Sequence, residues 1–339
     1  MGVKLKDLFE TKKTSYEQLA HKRIAIDAFN MLYQFLTTIR MQDGTPLKNS
    51  KGNITSHLVG LLARCTNMLE HNIKPIFIYD GTPPELKRAE RERRKELKEE
   101  AQKKYAQAIQ EQDGEQMKKY AGRTVQLTAD IISESKELLT ALGIPWIQAP
   151  SEAEAQAAYI VQRGDADYSA SQDYDSLLFG TPKLIRNLGI SGKRKRPGSY
   201  GYIQIEPEII VLEEELKRLH ITQKQLILLG MIIGTDFNIG GIQGLGPKKG
   251  LMKIKEHGED MDALFADIGW KSEYTYQDVY NTLADMPVTE TYTTTQKNID
   301  EQYIHDLLVK RFEFNPQRVQ QSIERIQTRS SQKGLAEFF

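Results

Sequence analysis

The sequence predicts an α/β fold in which helices flank a mostly parallel central sheet. Two short runs, residues 23–27 and 75–80, are apolar and partly β-branched, and each stops at an aspartate. Between them, residues 56–70 carry apolar side chains at helical spacing. A strand, a helix and a second strand in this order form a right-handed parallel unit, the building block of such folds.

The following elements continue the same pattern. Further strands are predicted at 144–149, near 167–171, at 183–186 and at 201–205. Helices are predicted at 128–142, 152–163 and 222–234. After Asp236 the chain becomes helical and rich in glycine, and residues 270–300 are less regular.

The segment from Lys87 to about Tyr120 differs from its surroundings. Lys, Arg, Glu and Gln dominate it, and few apolar residues stand at helical spacing. A charge run of this kind is usually a solvated helix. Because this one interrupts the α/β pattern shortly after Asp80, we interpret it as a projecting helical insert.

Composition and charge distribution restrict the class of protein. The 46 basic and 46 acidic residues of the 339-residue chain cancel, which alone argues against a nucleic-acid partner. Basic residues nevertheless concentrate at 87–104 and 193–196, so a basic surface can surround an acidic centre. No signal peptide is evident, and the apolar run 226–234 is far shorter than the roughly 20 residues that span a bilayer. The single cysteine excludes an internal disulfide and a cysteine-based zinc site.

Carboxylates recur at the ends of predicted elements. In an open parallel sheet, ligands bind beyond the carboxyl ends of the strands. Each carboxylate alone is an ordinary turn or first-turn residue, but together they repel unless cations neutralise them. Oxygen ligands without His or Cys favour Mg²⁺ or Mn²⁺, and two such ions about 4 Å apart can hydrolyse a phosphodiester. The candidate ligands are Asp27, Asp80, Glu152, Glu154, Asp173, Asp175 and Asp236.

The glycine-rich segment 240–250 is a second candidate site. It is not a Walker loop, because Pro247 stands where the lysine should be, and no strand precedes it as a dinucleotide fingerprint requires. A Gly-x-Gly turn between two helices remains, whose backbone N–H groups can hold a DNA phosphate. A tight turn without a ligand is the alternative. Beside a carboxylate site, we favour phosphate binding.

These residues resemble the flap endonucleases of the Rad2/XPG superfamily, most of all the archaeal enzymes. The short separation of the two nuclease blocks fits flap endonucleases better than XPG itself. The matching motifs run almost from end to end, at residues 2–5, 26–28, 33–36, 55–58, 79–84, 149–156, 171–175 and 234–236.

The resemblance implies a PIN-like nuclease fold with a helical arch insert and a helix-two-turn-helix DNA-binding element. We expect one nuclease domain over residues 1–327, followed by a flexible tail over 328–339. Within the domain the blocks are an N-terminal nuclease block at about 1–100, the arch at about 84–128, an internal nuclease block at about 128–258 with the helix-two-turn-helix at about 222–258, and a C-terminal helical region at 259–327.

The resemblance also implies roles for single residues. The seven carboxylates become ligands of a centre with two Mg²⁺ ions, for which Mn²⁺ can substitute. Lys87 and Arg94 become the cations that polarise the scissile phosphate. The helix-two-turn-helix holds K⁺ in the family, but the spacing from Asp236 to Gly244 exceeds that of eukaryotic members and leaves the K⁺ ligands open. The implied DNA contacts are Gly2, Tyr33, which would stack on an unpaired base, Thr55, Gly244, Gly246, Lys248 and Lys249.

The tail matches the sliding-clamp (PCNA) binding consensus through Gln332, Leu335, Phe338 and Phe339. A disordered tail without a partner is the alternative, yet two exposed phenylalanines are a liability unless a partner buries them.

The expected function is a structure-specific 5′ flap endonuclease with 5′–3′ exonuclease activity, acting in replication and repair. We expect a monomer that binds branched DNA, has no membrane contact, and lies in the cytoplasm at the nucleoid of an archaeal cell. A 5′ exonuclease or four-way-junction resolvase would share the metal centre and differ in the arch and C-terminus. A DNA-binding scaffold without chemistry would have no need for seven carboxylates.

Overall fold

A seven-stranded sheet forms the centre of the structure, a computed structural model that describes residues 3–111, 113–189, 192–195 and 202–336. The strands in these residues are β1 (Lys12–Lys13), β2 (Arg23–Asp27), β3 (Lys74–Tyr79), β4 (Trp146–Gln148), β5 (Tyr168–Ala170), β6 (Lys183–Arg186), β7 (Gly192–Lys195), β8 (Tyr202–Ile205) and β9 (Glu208–Val211). The order across the central sheet is β1-β9-β6-β5-β2-β3-β4.

The middle of this sheet is parallel, as predicted. Strands β6, β5, β2, β3 and β4 pair in parallel with their neighbours, whereas β9 and β1 join antiparallel at one edge. Helices cover both faces of a parallel sheet, so its central strands are continuously apolar. Ile24, Ala25 and Ile26 of β2 are accordingly buried.

Strands β7 and β8 form a separate antiparallel ribbon. The sequence predicts strand β8, as residues 201–205, to within one residue. The strand does not join the central sheet, as its prediction implied. The sheet position next to β6 belongs to β9, a strand that the sequence analysis missed. Local patterning cannot tell which of two adjacent strands pairs with a distant one.

The helices agree closely with the predictions at 56–70, 128–142, 152–163 and 222–234. In chain order they are α1 (Ala28–Thr38), α2 (Ser56–Glu70), α3 (Arg88–Gln110), α4 (Gly114–Ala121), α5 (Ala129–Ala141), α6 (Ala153–Gln162), α7 (Asp175–Leu178), α8 (Leu212–Leu219), α9 (Gln223–Ile233), α10 (Pro247–His257), α11 (Met261–Ile268), α12 (Tyr276–Ala284), α13 (Glu301–His305) and α14 (Pro316–Ala336). Within the described residues, none of them is long and apolar enough to cross a membrane.

The charged segment after β3 is a helical insert, as predicted. A 3₁₀ turn at Glu85–Lys87 leads into the long helix α3, which packs against α4. Two alanines of α3, Ala101 and Ala108, are buried, and so is one carboxylate, Glu90. The insert therefore rests on small residues and on a buried charge.

The C-terminal helix α14 continues into the predicted tail. The sequence predicts a flexible tail from Thr328, and the backbone there is helical to Ala336. Val319 and Ile323 anchor the helix in the same apolar cluster as Leu58 of α2. The clamp-motif residues Gln332 and Leu335 lie on its last turns. Phe338 and Phe339 lie outside the described residues, as Gly2 does at the other end.

Candidate functional site

The first two predicted ligands lie at the carboxyl ends of neighbouring parallel strands. Asp27 ends β2 and caps α1, where its Oδ1 accepts the backbone N–H of Asn30 at 2.9 Å. Asp80 follows β3, and its Oδ1 accepts the N–H of Ala153 at 2.7 Å. Ala153 begins α6 and lies between Glu152 and Glu154. The bond therefore holds Asp80 next to these two predicted ligands.

A glycine permits the close approach of these loops. The backbone N–H of Gly81 donates to the carbonyl of Ser151 at 2.6 Å. A Cβ at Gly81 would lie 2.2 Å from the Ala149 carbonyl oxygen, a distance that no side chain tolerates. Gly81 therefore allows the loop that carries Asp80 to lie against the start of α6.

The loop after β5 brings Asp173 to the same region. The Ser171 hydroxyl donates to Glu154 Oε1 at 2.8 Å and accepts the backbone N–H of Asp173 at 3.1 Å. The Asn30 amide reaches Asp173 Oδ2 at 3.5 Å, so Asn30 contacts both Asp27 and Asp173. These polar groups hold the carboxylates at fixed orientations, as supporting residues do around metal ligands.

Asp175 and Asp236 complete the set. The backbone N–H of Val3 donates to Asp175 Oδ1 at 2.6 Å, which places the N-terminal segment beside this carboxylate. Asp236 lies just past α9 in a turn closed by Asn238, whose Oδ1 accepts from the Thr235 hydroxyl at 2.7 Å. We name the seven predicted ligands together the carboxylate centre.

Two cations reach the carboxylate centre from the insert. Lys87 Nζ lies 2.6 Å from Glu152 Oε2 and 3.4 Å from Asp236 Oδ2, and also 5.3 Å from the ring centroid of Phe237. Arg94 Nη2 donates to Asp236 Oδ2 at 2.8 Å. The structure thus places both predicted cations in contact with the predicted ligands.

Burial and mutual repulsion perturb the carboxyl groups. Burial, together with the charge of Asp80, raises the pKa of Asp27 to about 8. Burial likewise raises the pKa values of Asp80 and Asp175 to about 6 each. The pKa of Glu154 lies well above its ordinary value, because the group is buried and close to Asp175 and Asp27.

The pKa of Lys87 is also raised, but for a different reason. Burial lowers the pKa of its ammonium, but the charges of Glu152 and Asp236 outweigh burial and raise it above the ordinary value. The ammonium therefore stays charged, and it offsets part of the negative charge around it. Like charges gathered in a buried region require such partners or bound cations.

The donor set fits hard divalent cations. All seven side chains offer carboxylate oxygens, the ligands that Mg²⁺ prefers. No three of them present oxygens that all lie within 4.8 Å of one another in the structure. Mg²⁺ usually binds one or two carboxylates directly and keeps several waters. The spacing of these carboxylates is therefore compatible with Mg²⁺ binding.

Among the described residues, one group does have side-chain ligand atoms that all lie within 4.8 Å of one another. It consists of Glu256, His257 and Asp267 and lies at the surface. Lys253 already bonds Glu256 and Asp267 there, at 2.9 and 2.7 Å.

The glycine-rich segment forms a turn between α9 and α10. Gly241 has φ +57° and packs so closely that a Cβ would lie 2.3 Å from the Ile232 carbonyl oxygen. Gly244, with φ +84°, and Gly246 have no heavy atom within 4 Å of their Cβ positions. Gly246 caps α10 without a side-chain hydrogen bond. The turn therefore presents bare backbone where a phosphate can approach.

The remaining predicted DNA contacts differ in how exposed they are. Lys248 and Lys249 are exposed in the first turn of α10, and the Tyr33 side chain on α1 is 44% exposed. Thr55 is buried and lines a cavity of about 500 Å³ with Lys48 and Phe314.

Some residues that orient the predicted ligands are not evident from the sequence. Asn30, Ser171 and Asn238 are ordinary polar residues until the fold brings them to carboxylates. Glu90 was hidden in a charge run. Its spacing of three and four residues from Arg93 and Arg94 is the signal that could have found it.

Known proteins resemble this chain over most of its length. The XPG N-terminal domain matches residues 1–101, and the XPG I-region matches residues 143–236. A relative from Staphylothermus marinus, named flap endonuclease 1, is 47% identical over 100% of both chains. Relatives of the same name from Pyrococcus horikoshii and Aeropyrum pernix are 48% and 46% identical, over 96% of this chain and 94% of theirs.

Solved structures share the fold. Flap endonuclease-1 from Methanococcus jannaschii is 38% identical with a TM-score of 0.75, over 96% of this chain and 98% of its own. The catalytic core of Rad2 in complex with DNA substrate has a TM-score of 0.66 at 24% identity, over 93% of this chain and 96% of its own. The second likeness concerns the fold alone. Together the two structures confirm the predicted α/β nuclease fold.

Proposed function

This chain belongs to the flap endonuclease family of XPG nucleases, and from that premise we propose how its residues divide the work of cleavage. As a member it is a structure-specific 5′ flap endonuclease that hydrolyses DNA phosphodiester bonds in replication and repair, and it depends on divalent metal. One observation carries the proposal: Lys87 and Arg94 of the insert directly contact carboxylates that follow the sheet and α9.

We assign the divalent cations to the carboxylate centre. The ligands are Asp27, Asp80, Glu152, Glu154, Asp173, Asp175 and Asp236, and the ions are two Mg²⁺, with Mn²⁺ as a substitute. Such ions supply an activated water and stabilise the leaving oxygen. The buried, hydrogen-bonded carboxylates support this assignment. Burial and neighbouring carboxylates disfavour their charged forms and raise their pKa values, and a bound cation would stabilise those charged forms.

Lys87 and Arg94 act on the scissile phosphate. Without DNA their positive groups pair with Glu152 and Asp236. A phosphodiester entering this region offers oxygens to the same groups, and both side chains are long enough to exchange partners. Positive charge held there stabilises the transition state, in which negative charge develops on the phosphate oxygens.

The DNA is held by groups outside the centre. Tyr33 supplies a half-exposed ring on which the unpaired nucleotide next to the cut can stack. The bare backbone at Gly244 and Gly246, with Lys248 and Lys249, binds duplex phosphates without reading sequence. K⁺ bound at this turn would add a further positive charge. Gly2 and Thr55 contact branches of the substrate.

The C-terminus recruits a sliding clamp (PCNA). Gln332 and Leu335 stand on the helix α14, and Phe338 and Phe339 supply the aromatic pair of the motif. An apolar groove on the partner would bury these side chains. We further propose that the enzyme is a monomer that acts at the nucleoid in the cytoplasm.

A panel of labelled substrates tests the proposed function. Flap, gapped and four-way-junction DNAs, each labelled at the 5′ end, are incubated with the protein in Mg²⁺. We expect a single cut at the base of the 5′ flap and slow release of 5′ nucleotides from the gapped substrate. Paired symmetrical cuts in the four-way junction would instead support the resolvase alternative.

A further inference from the structure

Glu90 is the buried carboxylate of a largely solvated helix. It lies in the first turn of α3, and only 3% of its surface is exposed. Two arginines cover it. Arg93 donates from Nε to Oε2 at 2.7 Å and from Nη2 to Oε1 at 2.8 Å, and Arg94 donates from Nε to Oε1 at 2.5 Å.

These bonds keep Glu90 charged. Burial would raise the pKa of its carboxyl, but the hydrogen bonds from Arg93 and Arg94 lower it to about 2. The arginine side chains remain partly open to solvent, at 35% and 51% exposure, whereas the Glu90 side chain is at 4%. The carboxylate is thus a fixed negative centre beneath two cations.

Arg94 is held through two nitrogens of its guanidinium group. Its Nε donates to Glu90, and its Nη2 donates to Asp236 Oδ2 at 2.8 Å. A planar group held at two nitrogens by two separate carboxylates has little freedom to rotate. A phosphate that replaces Asp236 as the partner of Nη2 would leave the Nε bond to Glu90 intact.

We propose that Glu90 is a positioning residue that holds the guanidinium plane of Arg94 toward the carboxylate centre. This inference rests on the proposed role of Arg94 at the scissile phosphate. Glu90 acts through Arg94 and has no contact with the reacting atoms. Substrate exchanges with Asp236 at Nη2 while Glu90 keeps its bond to Nε.

Two other roles for Glu90 make different predictions. If Glu90 only stabilised the helix, its loss would lower the melting temperature and change cleavage no more than loss of another ion pair on α3. If Glu90 chiefly neutralised Arg94, its loss would free positive charge and accelerate cleavage. A positioning role predicts slower cleavage with unchanged binding.

The test is single-turnover cleavage of a 5′-flap substrate in Mg²⁺ by four variants. Glu90→Gln keeps the shape but turns two hydrogen-bond donors toward the arginines. Glu100→Gln is the matched control, because Glu100 forms an exposed ion pair with Lys104 on the same helix. Arg94→Ala and the double variant Glu90→Gln/Arg94→Ala complete a double-mutant cycle. Flap binding is measured for each variant in Ca²⁺.

We expect Glu90→Gln to slow cleavage about tenfold or more while binding changes less than about twofold, the signature of an interaction needed in the transition state. Glu100→Gln should cleave at the wild-type rate. In the Arg94→Ala background, Glu90→Gln should cause no further loss. Should Glu90→Gln fail to fold, Glu90→Asp tests the same point, because it retains the charge but withdraws it by one methylene, and it should also slow cleavage.

The outcomes separate the two levels of inference. Faster cleavage by Glu90→Gln, or an equal loss in both backgrounds, overturns the positioning role. The positioning role is also overturned if Arg94→Ala slows cleavage while Glu90→Gln and Glu90→Asp leave the cleavage rate unchanged. If Arg94→Ala itself cleaves at the wild-type rate, the proposed function of Arg94 fails and the role of Glu90 falls with it.

Discussion

Asp27 illustrates how the environment changes the chemistry of a single carboxyl group. It lies at the end of a buried strand, and its pKa of about 8 reflects that burial and the nearby charge of Asp80. A proton and a cation compete for the same oxygens, so metal binding releases protons. If the carboxylate centre binds cations as proposed, their binding should strengthen as pH rises toward 8.

Stability should depend on pH through this group. The folded pKa of Asp27 exceeds the ordinary value of 3.8, so its stabilising contribution is present below pH 4 and is lost as pH rises to about 8. In EDTA, we expect Asp27→Asn to be more stable than wild type at pH 8.5 by at least about 1 kcal/mol, and to lose the advantage near pH 4. Urea unfolding at both values measures the difference. A constant difference would contradict the assignment.

Asp173 should be required for chemistry but not for DNA binding. Asp173→Ala removes one predicted ligand, and we expect Mg²⁺-dependent cleavage to fall by about a thousandfold or more, since metal positioning and charge stabilisation are lost together. Flap affinity should change little. Asp130→Ala, at an exposed aspartate on α5, is the control and should cleave normally. Turnover retained by Asp173→Ala would argue against the metal centre.

At the scale of elements, the insert shows a pattern that its composition conceals. Lys87 and Arg94 are seven residues apart, with Glu90 between them. A helix turns roughly 100° per residue, so residues at these intervals share a face. That face meets the carboxylate centre, whereas the rest of α3 is largely exposed. A segment that looks like a uniform charge run therefore has one side that contacts the carboxylate centre.

The loop after β3 provides a test at the same scale. Gly81→Ala places a methyl group against the Ala149 and Pro150 carbonyls, so the loops carrying Asp80 and Glu152 must separate. We expect a stability loss of about 1–3 kcal/mol by denaturant titration, together with weaker Mg²⁺-dependent cleavage. Gly122→Ala is the control, because Gly122 has φ −63° and no heavy atom within 4 Å of its Cβ position. Equal effects of the two variants would mean that loop contact is unimportant.

At the scale of the whole molecule, a net charge of zero hides a strong separation of charge. Acidic residues meet beyond the strand ends, while basic residues populate the insert, the ribbon strand β7 and the start of α10. Such an arrangement attracts a polyanion to the basic surfaces around the acidic carboxylate centre. It also explains how a neutral chain belongs to a family of DNA nucleases.

The proposed clamp contact of the C-terminal motif belongs to this scale, because it would join the enzyme to another protein. Deleting residues 332–339 should abolish stimulation of flap cleavage by the clamp. Phe338→Ala/Phe339→Ala should act alike, since the aromatic pair would supply most of the buried area. Cleavage assays with increasing clamp concentration measure the effect, and Glu324→Ala on the exposed face of α14 is the control. Full stimulation of the truncated enzyme would exclude the tail as the contact.

The sequence by itself determined the identity of the candidate ligands and the fold class. Asp27 and Asp80 follow apolar runs, and a strand end is a local feature that a short window reveals. Strand, helix and turn preferences act over a few residues, so most element bounds were also predictable. The match of several motifs in order supplied the family.

Only the tertiary structure decided how these parts work together. The partners of Lys87, the antiparallel place of β9 and the buried state of Glu90 join segments far apart in the chain or depend on their packing. Burial and Coulomb interactions depend on distance through space, which residue order alone does not give. For that reason the raised pKa of Asp27 and the double anchoring of Arg94 emerge only once the sheet and the insert have folded together.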